Sequence, residues 1–184
     1  MKKISILILT ILVMVVMNVQ AQFKAGATVG LQIPVGTSME GYKTGFGLNL
    51  FGKYMINENM AAGLNIGFLG LGIETSGDID DAGSPKSRFL PVTGLFEYYF
   101  KGDKVKPYVG ADLGLYNYKI SYDAMGRSYS DSKSYFGFAP VVGAMYELSE
   151  KISLLGNIKF HYVATDGDAA TMIGIHFGAV YNIK

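Results

Sequence analysis

Apolar and polar residues alternate through nearly the whole chain after its first 21 residues. The pattern is clearest in Thr171–Lys184, where an apolar residue occupies every second position from Ile173 to Ile183. Successive side chains of a β-strand point to opposite faces, so this alternation predicts strands with one apolar face. Eight predicted strands follow one another: Phe23–Pro34, Gly45–Ile56, Met60–Thr75, Phe89–Phe100, Pro107–Tyr122, Tyr135–Leu148, Ile152–Val163 and Thr171–Lys184.

The segments that connect these strands differ in length in a regular way. Three are long and polar, Gly36–Thr44, Ser76–Arg88 and Asp123–Ser134, and Ala164–Ala170 is of medium length, whereas the turns between them are short. Outer-membrane barrels combine short periplasmic turns with longer extracellular loops. Because every backbone polar group must be paired in lipid, the last strand has to pair with the first. We therefore predict an all-β, eight-stranded, antiparallel up-and-down transmembrane β-barrel.

A tyrosine recurs near the ends of the strands that lead into the short turns and to the end of the chain. Tyr54, Tyr98, Tyr146 and Tyr181 each begin the same four-residue pattern of aromatic, variable, apolar and polar residues. Aromatic residues at one height are typical of a membrane interface, so we predict a periplasmic aromatic belt. A soluble, lipocalin-like carrier would share the period of two, with its apolar face inside. The common height of the tyrosines favours the membrane barrel.

Composition and the N-terminus indicate an exported protein. Charged residues make up 17% of the chain, whereas about a quarter is usual for soluble domains. Residues 1–21 resemble a cleaved secretory signal peptide: Lys2 and Lys3 precede the apolar Ile4–Met17, and Val19–Ala21 offers a small-residue cleavage site. The barrel domain is then residues 22–184. The absence of cysteine excludes disulfides and N-terminal lipidation, and a net charge of +1 argues against nucleic acid as a partner.

The polar faces of the strands predict what lies inside the barrel. An eight-stranded barrel is just wide enough for side chains to fill its interior, and charges there are costly unless they are paired. We therefore predict that Glu97 and Asp112 meet Lys53 or Lys159 in a lumen charge network that plugs the barrel. The predicted inward ionisable set is Lys24, Lys53, Glu97, Asp112, Glu147, Lys159, His161 and His176. We expect Lys24 and Glu147 to be solvated at the periplasmic rim.

Neither an enzyme nor a metal site is predicted. The candidate for lipid A chemistry is His161, within reach of Thr165, Asp166 and Asp168 in the last loop, but no serine nucleophile has a matching spacing. The acidic residues of the second loop lack the spacing of a calcium-binding loop and indicate loop solubility instead. They are Asp78, Asp80 and Asp81. We predict no catalytic residues, no metal ligands and no cofactor.

Over Gln22–Lys184 the chain resembles the small outer-membrane β-barrel proteins of the OmpX, OmpW and OmpA-transmembrane-domain kind. The resemblance implies residence in the bacterial outer membrane, contact with lipid and lipopolysaccharide, and recognition of Thr171–Lys184 by the barrel-assembly machinery. Such a final strand typically ends in an aromatic residue, usually Phe, whereas this one ends in Ile183-Lys184. We expect a structural or surface-interaction role with an unidentified external partner. The alternatives are a narrow porin-like conduit for ions or small apolar solutes and, less favoured, a lipid A-modifying barrel enzyme or the soluble carrier.

Overall fold

A computed structural model describes residues 23–73, 86–124 and 127–183, and their strands close into a single barrel. The eight strands are β1 (Phe23–Val35), β2 (Tyr42–Met55), β3 (Met60–Ile73), β4 (Lys86–Tyr99), β5 (Val105–Ala124), β6 (Arg127–Glu147), β7 (Ile152–Val163) and β8 (Ala170–Ile183). A 3-10 turn, Thr37–Met39, joins β1 to β2. Within these described ranges, no helix has the length and hydrophobicity needed to cross a membrane.

Each strand pairs antiparallel with its neighbours in the sequence, and β8 closes the barrel by pairing with β1. That closing ladder runs without a break from Phe23 opposite Ile183 to Val35 opposite Thr171. Closure leaves no strand with an open edge in the barrel wall, as a sheet in lipid requires. The predicted eight-stranded antiparallel up-and-down barrel is therefore confirmed.

One predicted loop is wrong, because residues 123–134 mostly form strand. The hairpin of β5 and β6 continues to the pair Ala124 and Arg127 and projects beyond the rest of the barrel wall. The polar composition of this segment indicated a loop. Above the bilayer, however, a hairpin needs no apolar face, because its two strands already pair their backbone groups with each other.

The first predicted loop, residues 36–44, is shorter than expected because β2 already begins at Tyr42. Gly36 and Gly41 flank the 3-10 turn with φ of 85° each, in the region that favours glycine. The turn between them buries Met39. Several further predictions lie outside the described residues, namely the signal peptide (1–21), most of the second long loop with its three aspartates (74–85), and residue 184.

The apolar face of the strands points outward and the polar face points inward. Leu64 and Phe177 are each 67% exposed, and apolar side chains of this kind cover the barrel wall on all sides. An exposed apolar surface of this extent is typical of contact with lipid. The expectation for a soluble carrier, with the apolar face inside, is wrong for this chain. Below, the turn end of the barrel is the end with the short turns, the predicted periplasmic side, and the loop end is the opposite one.

The interior is filled in three zones. A loop-end cluster consists of Met39, Leu69, Leu71, Phe89, Tyr116, Val163, Ala170 and Met172. A turn-end cluster consists of Ala61, Tyr99, Tyr108, Val141, Met145, Leu155 and Val180. Between them lies a polar layer whose buried members are Thr28, Gln32, Asn49, Asn65, Thr93, Asp112, Asn157, Lys159, His161 and His176. The barrel is therefore packed through most of its length, as expected for eight strands.

Candidate functional site

Two buried ion pairs cross the lumen. Lys53 Nζ lies 2.7 Å from Glu97 Oε2, and Lys159 Nζ lies 2.6 Å from Asp112 Oδ2. All four residues are buried. Buried charges are tolerated only when paired and further hydrogen-bonded, so these contacts determine whether the interior can hold them at all.

The ion pair of Lys53 and Glu97 spans an intervening strand, β3, that carries small side chains at the crossing point. Lys53 on β2 faces Gly63 across the β2–β3 ladder, and Ala61 faces Glu97 across the next one. A larger side chain at either β3 position would occupy the space between the two charged groups. An added Cβ at Gly63 would lie only 2.9 Å from the Cβ of Lys53. The sequence of β3 thus permits a contact between strands that are not neighbours.

One further donor contacts each carboxylate. The hydroxyl of Tyr99 donates a short hydrogen bond to Glu97 and accepts one from Lys53 Nζ at 2.7 Å. On the second pair, Asn65 Nδ2 lies 3.5 Å from Asp112 Oδ2. Charge-assisted hydrogen bonds of this kind are about twice as strong as neutral ones.

Aromatic rings surround the ammonium group of Lys53. Its Nζ lies 4.9 Å from the ring centroid of Phe51, 5.4 Å from that of Tyr99 and 5.7 Å from that of Tyr108. The faces of aromatic rings attract cations, more strongly where water is excluded. The two tyrosine rings also pack on each other, with centroids 5.2 Å apart. This end of the lumen is thus closed by rings held around a paired cation.

The polar layer continues as a series of side-chain pairs. Asn157 Nδ2 donates to the hydroxyl of Tyr108 at 3.0 Å, and the side chains of Gln32 and His176 meet at 2.7 Å. Glycine makes room for the second pair, because a Cβ at position 47 would lie 2.5 Å from Gln32 Nε2. Small inward residues thus allow polar side chains on the same or nearby strands of the wall to meet inside the barrel.

His161 is not part of the predicted loop cluster. Its Nδ1 lies 3.0 Å from the hydroxyl of Tyr116, inside the barrel, while Asp166 contacts Lys133 and the hydroxyl of Tyr135. Thr165 donates instead to the backbone of Asp168. The predicted proximity is wrong because the inward face of β7 directs the histidine into the lumen and away from the loop. Among the described residues, no group of three or more His, Asp or Glu could hold a metal ion.

The loop end is closed by apolar side chains that the sequence did not suggest. The 3-10 turn carries Met39 into contact with the loop-end cluster, and the side chain is only 5% exposed. Ser38 anchors the turn by donating to the backbone oxygen of Ala169 at 2.6 Å. The only sequence signal for this contact was a single Met in a polar segment, and one apolar residue does not indicate where in the fold its side chain packs. The lumen is therefore covered on this side by a short folded segment.

The four predicted belt tyrosines lie at the turn end. Tyr98, Tyr146 and Tyr181 are 41%, 40% and 47% exposed on the outer wall, whereas Tyr54 is half-buried beside Phe23 on the next strand. All four belong to strand segments that adjoin the turn end.

The turn end opens into a vestibule, an open cavity of about 1150 Å³ lined by turn residues and by Lys24, Lys106 and Glu147. Lys106 and Glu147 form an ion pair of 2.7 Å, and each side chain is about one-third exposed. The expectation that Lys24 is solvated is wrong, because it is 4% exposed. Its place on the inward face of β1 holds it against the barrel wall.

Beyond the barrel wall, the β5–β6 hairpin is tied to the last loop. Lys133 on the hairpin donates a hydrogen bond to Asp166, and Tyr135 donates to the same carboxylate at 3.1 Å. The hydrogen bond from Lys133 lowers the pKa of the Asp166 carboxyl and raises the pKa of the Lys133 ammonium. Because these groups are exposed, the contact orders the surface and contributes little stability.

Comparisons with known proteins agree with this architecture. The family model described as "Outer membrane protein beta-barrel domain" matches residues 5–181. Among solved structures, Neisserial surface protein A (NspA) is similar with a TM-score of 0.66 and 16% identity, over 90% of this chain and 100% of that one. The attachment invasion locus protein Ail of Yersinia pestis aligns with a TM-score of 0.54 and 17% identity, over 89% and 97%.

A major outer membrane protein from Thermus thermophilus is also similar, with a TM-score of 0.64 and 18% identity, over 90% of this chain and 100% of that one. At these identities the structural likeness shows the fold alone. No curated protein matches the chain significantly. The resemblance expected from the sequence is confirmed by the family match.

Proposed function

The chain belongs to the outer-membrane β-barrel family that matches residues 5–181, and from this premise we propose that it is a closed barrel acting through its surface rather than through its lumen. The observation that carries the proposal is the filled interior. Two buried ion pairs and two apolar clusters occupy the lumen along its axis. A packed interior of this kind offers a solute no continuous path.

The exposed loop end supports the surface role. The β5–β6 hairpin projects beyond the wall, and its contact with Asp166 holds it to the last loop. Loops and projecting segments on a rigid scaffold are where binding residues usually lie. The external partner would therefore contact this end of the barrel.

A photo-crosslinking amino acid at Ser132 on the hairpin provides a test for such a partner in living cells. We expect a discrete adduct with a component from outside the barrel. The same probe at the buried Thr93 should give none, which is the matched control. Absence of any adduct at Ser132 and at further hairpin positions would contradict the surface role.

Liposome swelling tests the closed lumen. Wild-type protein should leave the swelling rate at the level of protein-free liposomes. A variant with Tyr99→Ala, Tyr108→Ala and Tyr116→Ala removes the largest rings from both clusters and should swell faster, provided that heat-modifiable migration shows a folded barrel. Swelling of the wild type at the rate of this variant would contradict the proposal.

The second candidate, a narrow conduit, is favoured by one observation. The polar layer contains buried atoms with no hydrogen-bond partner among the described residues, including Gln32 Oε1, Asn49 Oδ1 and His176 Nδ1. Buried polar atoms of this kind are usually bonded to ordered water. Water in the middle of the lumen does not make a path while both clusters are in place, so we favour the closed barrel.

We extend the proposal to export, assembly and chemistry. Cleavage after residue 21 is testable by the intact mass of the purified protein, which should begin at Gln22. Recognition by the barrel-assembly machinery through β8 is supported by the role of this strand in closure, and pulse-chase experiments should show slower assembly of Phe177→Ser, which interrupts the apolar face of β8. We propose no enzymatic activity, so deletion of the protein should leave lipid A mass spectra unchanged.

A further inference from the structure

The lysines that face the lumen outnumber the carboxylates available to them. In the described strands, the inward lysines and carboxylates are Lys24, Lys53, Lys106, Lys159, Glu97, Asp112 and Glu147. Each of the three carboxylates already pairs with one lysine. Lys24 is the lysine left over, and it makes no hydrogen bond or ion pair with any described residue. Glu147 and Glu97 attract this ammonium group through space, but no ion pair of a described residue reaches it, and burial of an ammonium group without a direct anionic contact is costly.

The position of Lys24 shows where such an anion would come from. Its side chain is 4% exposed and lines the vestibule at the turn end. Lys53 lies directly opposite it on β2, and Lys106 lines the same cavity. Of the acidic residues that line the cavity, Glu58, Asp103 and Glu150 are exposed at the rim, and Glu147 is paired with Lys106. The inner part of the vestibule thus presents to an open space a cation that no carboxylate of the described residues contacts directly.

Asn182 adds a second unsatisfied group beside this lysine. It lies opposite Lys24 in the β1–β8 ladder, where facing Cβ atoms are about 5 Å apart. Its Nδ2 donates to the backbone oxygen of Glu150 at 2.8 Å. A carbonyl oxygen can only accept, so this contact fixes the amide orientation and identifies Oδ1 as the remaining acceptor. That Oδ1 is buried and has no partner among the described residues.

We infer that Lys24 and Asn182 form a binding site for a hydrogen phosphate group in the vestibule. The ammonium group donates to the anionic oxygens, and the amide oxygen accepts from the phosphate hydroxyl. A carboxylate or a sulfate could satisfy the lysine but not the amide oxygen, because neither carries a hydroxyl at neutral pH. The cavity of about 1150 Å³ is large enough for the hydrogen phosphate ion, which keeps a hydroxyl at neutral pH.

The experiment is a titration of the full barrel domain with inorganic phosphate, and in parallel with sulfate at matched ionic strength. The protein is held in a maltoside detergent, which contains no phosphate, and amide chemical shifts are followed by NMR. We expect saturable shifts at Lys24 and Asn182 with phosphate, and binding of sulfate that is about tenfold weaker, corresponding to about 1.4 kcal/mol.

Lys24→Met keeps the apolar stem and removes the charge, and it should weaken phosphate binding about tenfold or more. Lys101→Met removes the same charge from the exposed rim of the cavity and should change the affinity less than about twofold, because exposed charges are screened. Asn182→Leu leaves the charge unchanged and should abolish the preference for phosphate over sulfate. Heat-modifiable migration establishes that each variant is folded.

Two results would overturn the inference. One is equal affinity of the wild type for phosphate and sulfate, which would indicate attraction by charge alone. The other is an equal loss of affinity in Lys24→Met and Lys101→Met, which would indicate a diffuse field and no site at the lysine. If either Lys24→Met or Asn182→Leu does not fold, the other variant still tests the inference, because the two substitutions remove different groups of the site.

Discussion

Replacement of Glu97 by Leu isolates the energetic role of the lumen charge network. The substitution leaves the ammonium group of Lys53, which is 0% exposed, without its carboxylate. Removal of one partner of a buried ion pair typically costs about 3–5 kcal/mol, because the remaining charge is uncompensated. The hydroxyl of Tyr99 still accepts from the lysine, so we expect the lower half of that range.

The double variant Lys53→Met/Glu97→Leu separates charge from packing. Replacement of a whole buried ion pair by apolar side chains of similar volume is often neutral or stabilising. The double variant should therefore recover most of the stability lost in Glu97→Leu. The matched control is Glu147→Leu, which breaks the vestibule ion pair with Lys106. Both side chains of that pair are about one-third exposed, so its loss should cost about 1 kcal/mol or less.

The assay is equilibrium unfolding in urea, in detergent or lipid, followed by far-UV circular dichroism. The chain contains no Trp, so circular dichroism avoids dependence on weak tyrosine emission. The reasoning fails if Glu97→Leu costs no more than Glu147→Leu. It also fails if the double variant is less stable than Glu97→Leu. That result would show that the loss in Glu97→Leu does not come from an uncompensated charge on Lys53.

Three further predictions follow from other parts of the structure. Met39→Ala should lower the free energy of unfolding by about 2 kcal/mol or more, measured by the same urea titration, because it opens a cavity in the loop-end cluster; no loss would show that the 3-10 turn does not pack there. Gly143→Val should lower the melting temperature of the barrel, since an added Cβ would lie 2.6 Å from a backbone oxygen. The control Gly94→Val should lower it less, because the nearest backbone oxygen there is 3.9 Å away; equal melting temperatures of the two variants would contradict this. NMR titration should give Asp166 a pKa below its ordinary 3.8. The contact with Lys133 is then fully present above pH 3.8 and is lost as the pH falls through the lowered pKa. Lys133→Met should return the pKa of Asp166 toward 3.8, and an unchanged pKa in this variant would contradict the pairing.

The membrane-spanning part of the fold could be predicted well from the sequence, because lipid imposes a strict pattern on it. Strand β7 has the predicted bounds, Ile152–Val163, since lipid on one side and a narrow lumen on the other constrain every residue. Above the bilayer this constraint ends. The β5–β6 hairpin has water on both sides there, so residues 123–134 read as a loop although most of them are paired strand.

The candidate site shows a similar division. Alternation alone assigned Lys53 and Glu97 to the inward face, but it could not decide which lysine faces which acid. That choice depends on the stagger of the strands and on the small residues of β3. The burial of Lys24 could not be predicted from the sequence either, because the exposure of a residue near the end of a strand depends on how the surrounding turns cover it. Met39 enters the core through a turn whose shape is set by two glycines, and residue periodicity says nothing about such a turn.

Single-channel recording of the purified wild-type protein in planar lipid bilayers tests the closed lumen most directly. Insertion can be verified independently by heat-modifiable migration of protein recovered from the same preparation. If the ion pairs and the two clusters close the lumen, inserted protein gives no stable unitary current across the accessible voltage range. Stable, ohmic current steps from the wild type would contradict a closed barrel and would favour the narrow conduit.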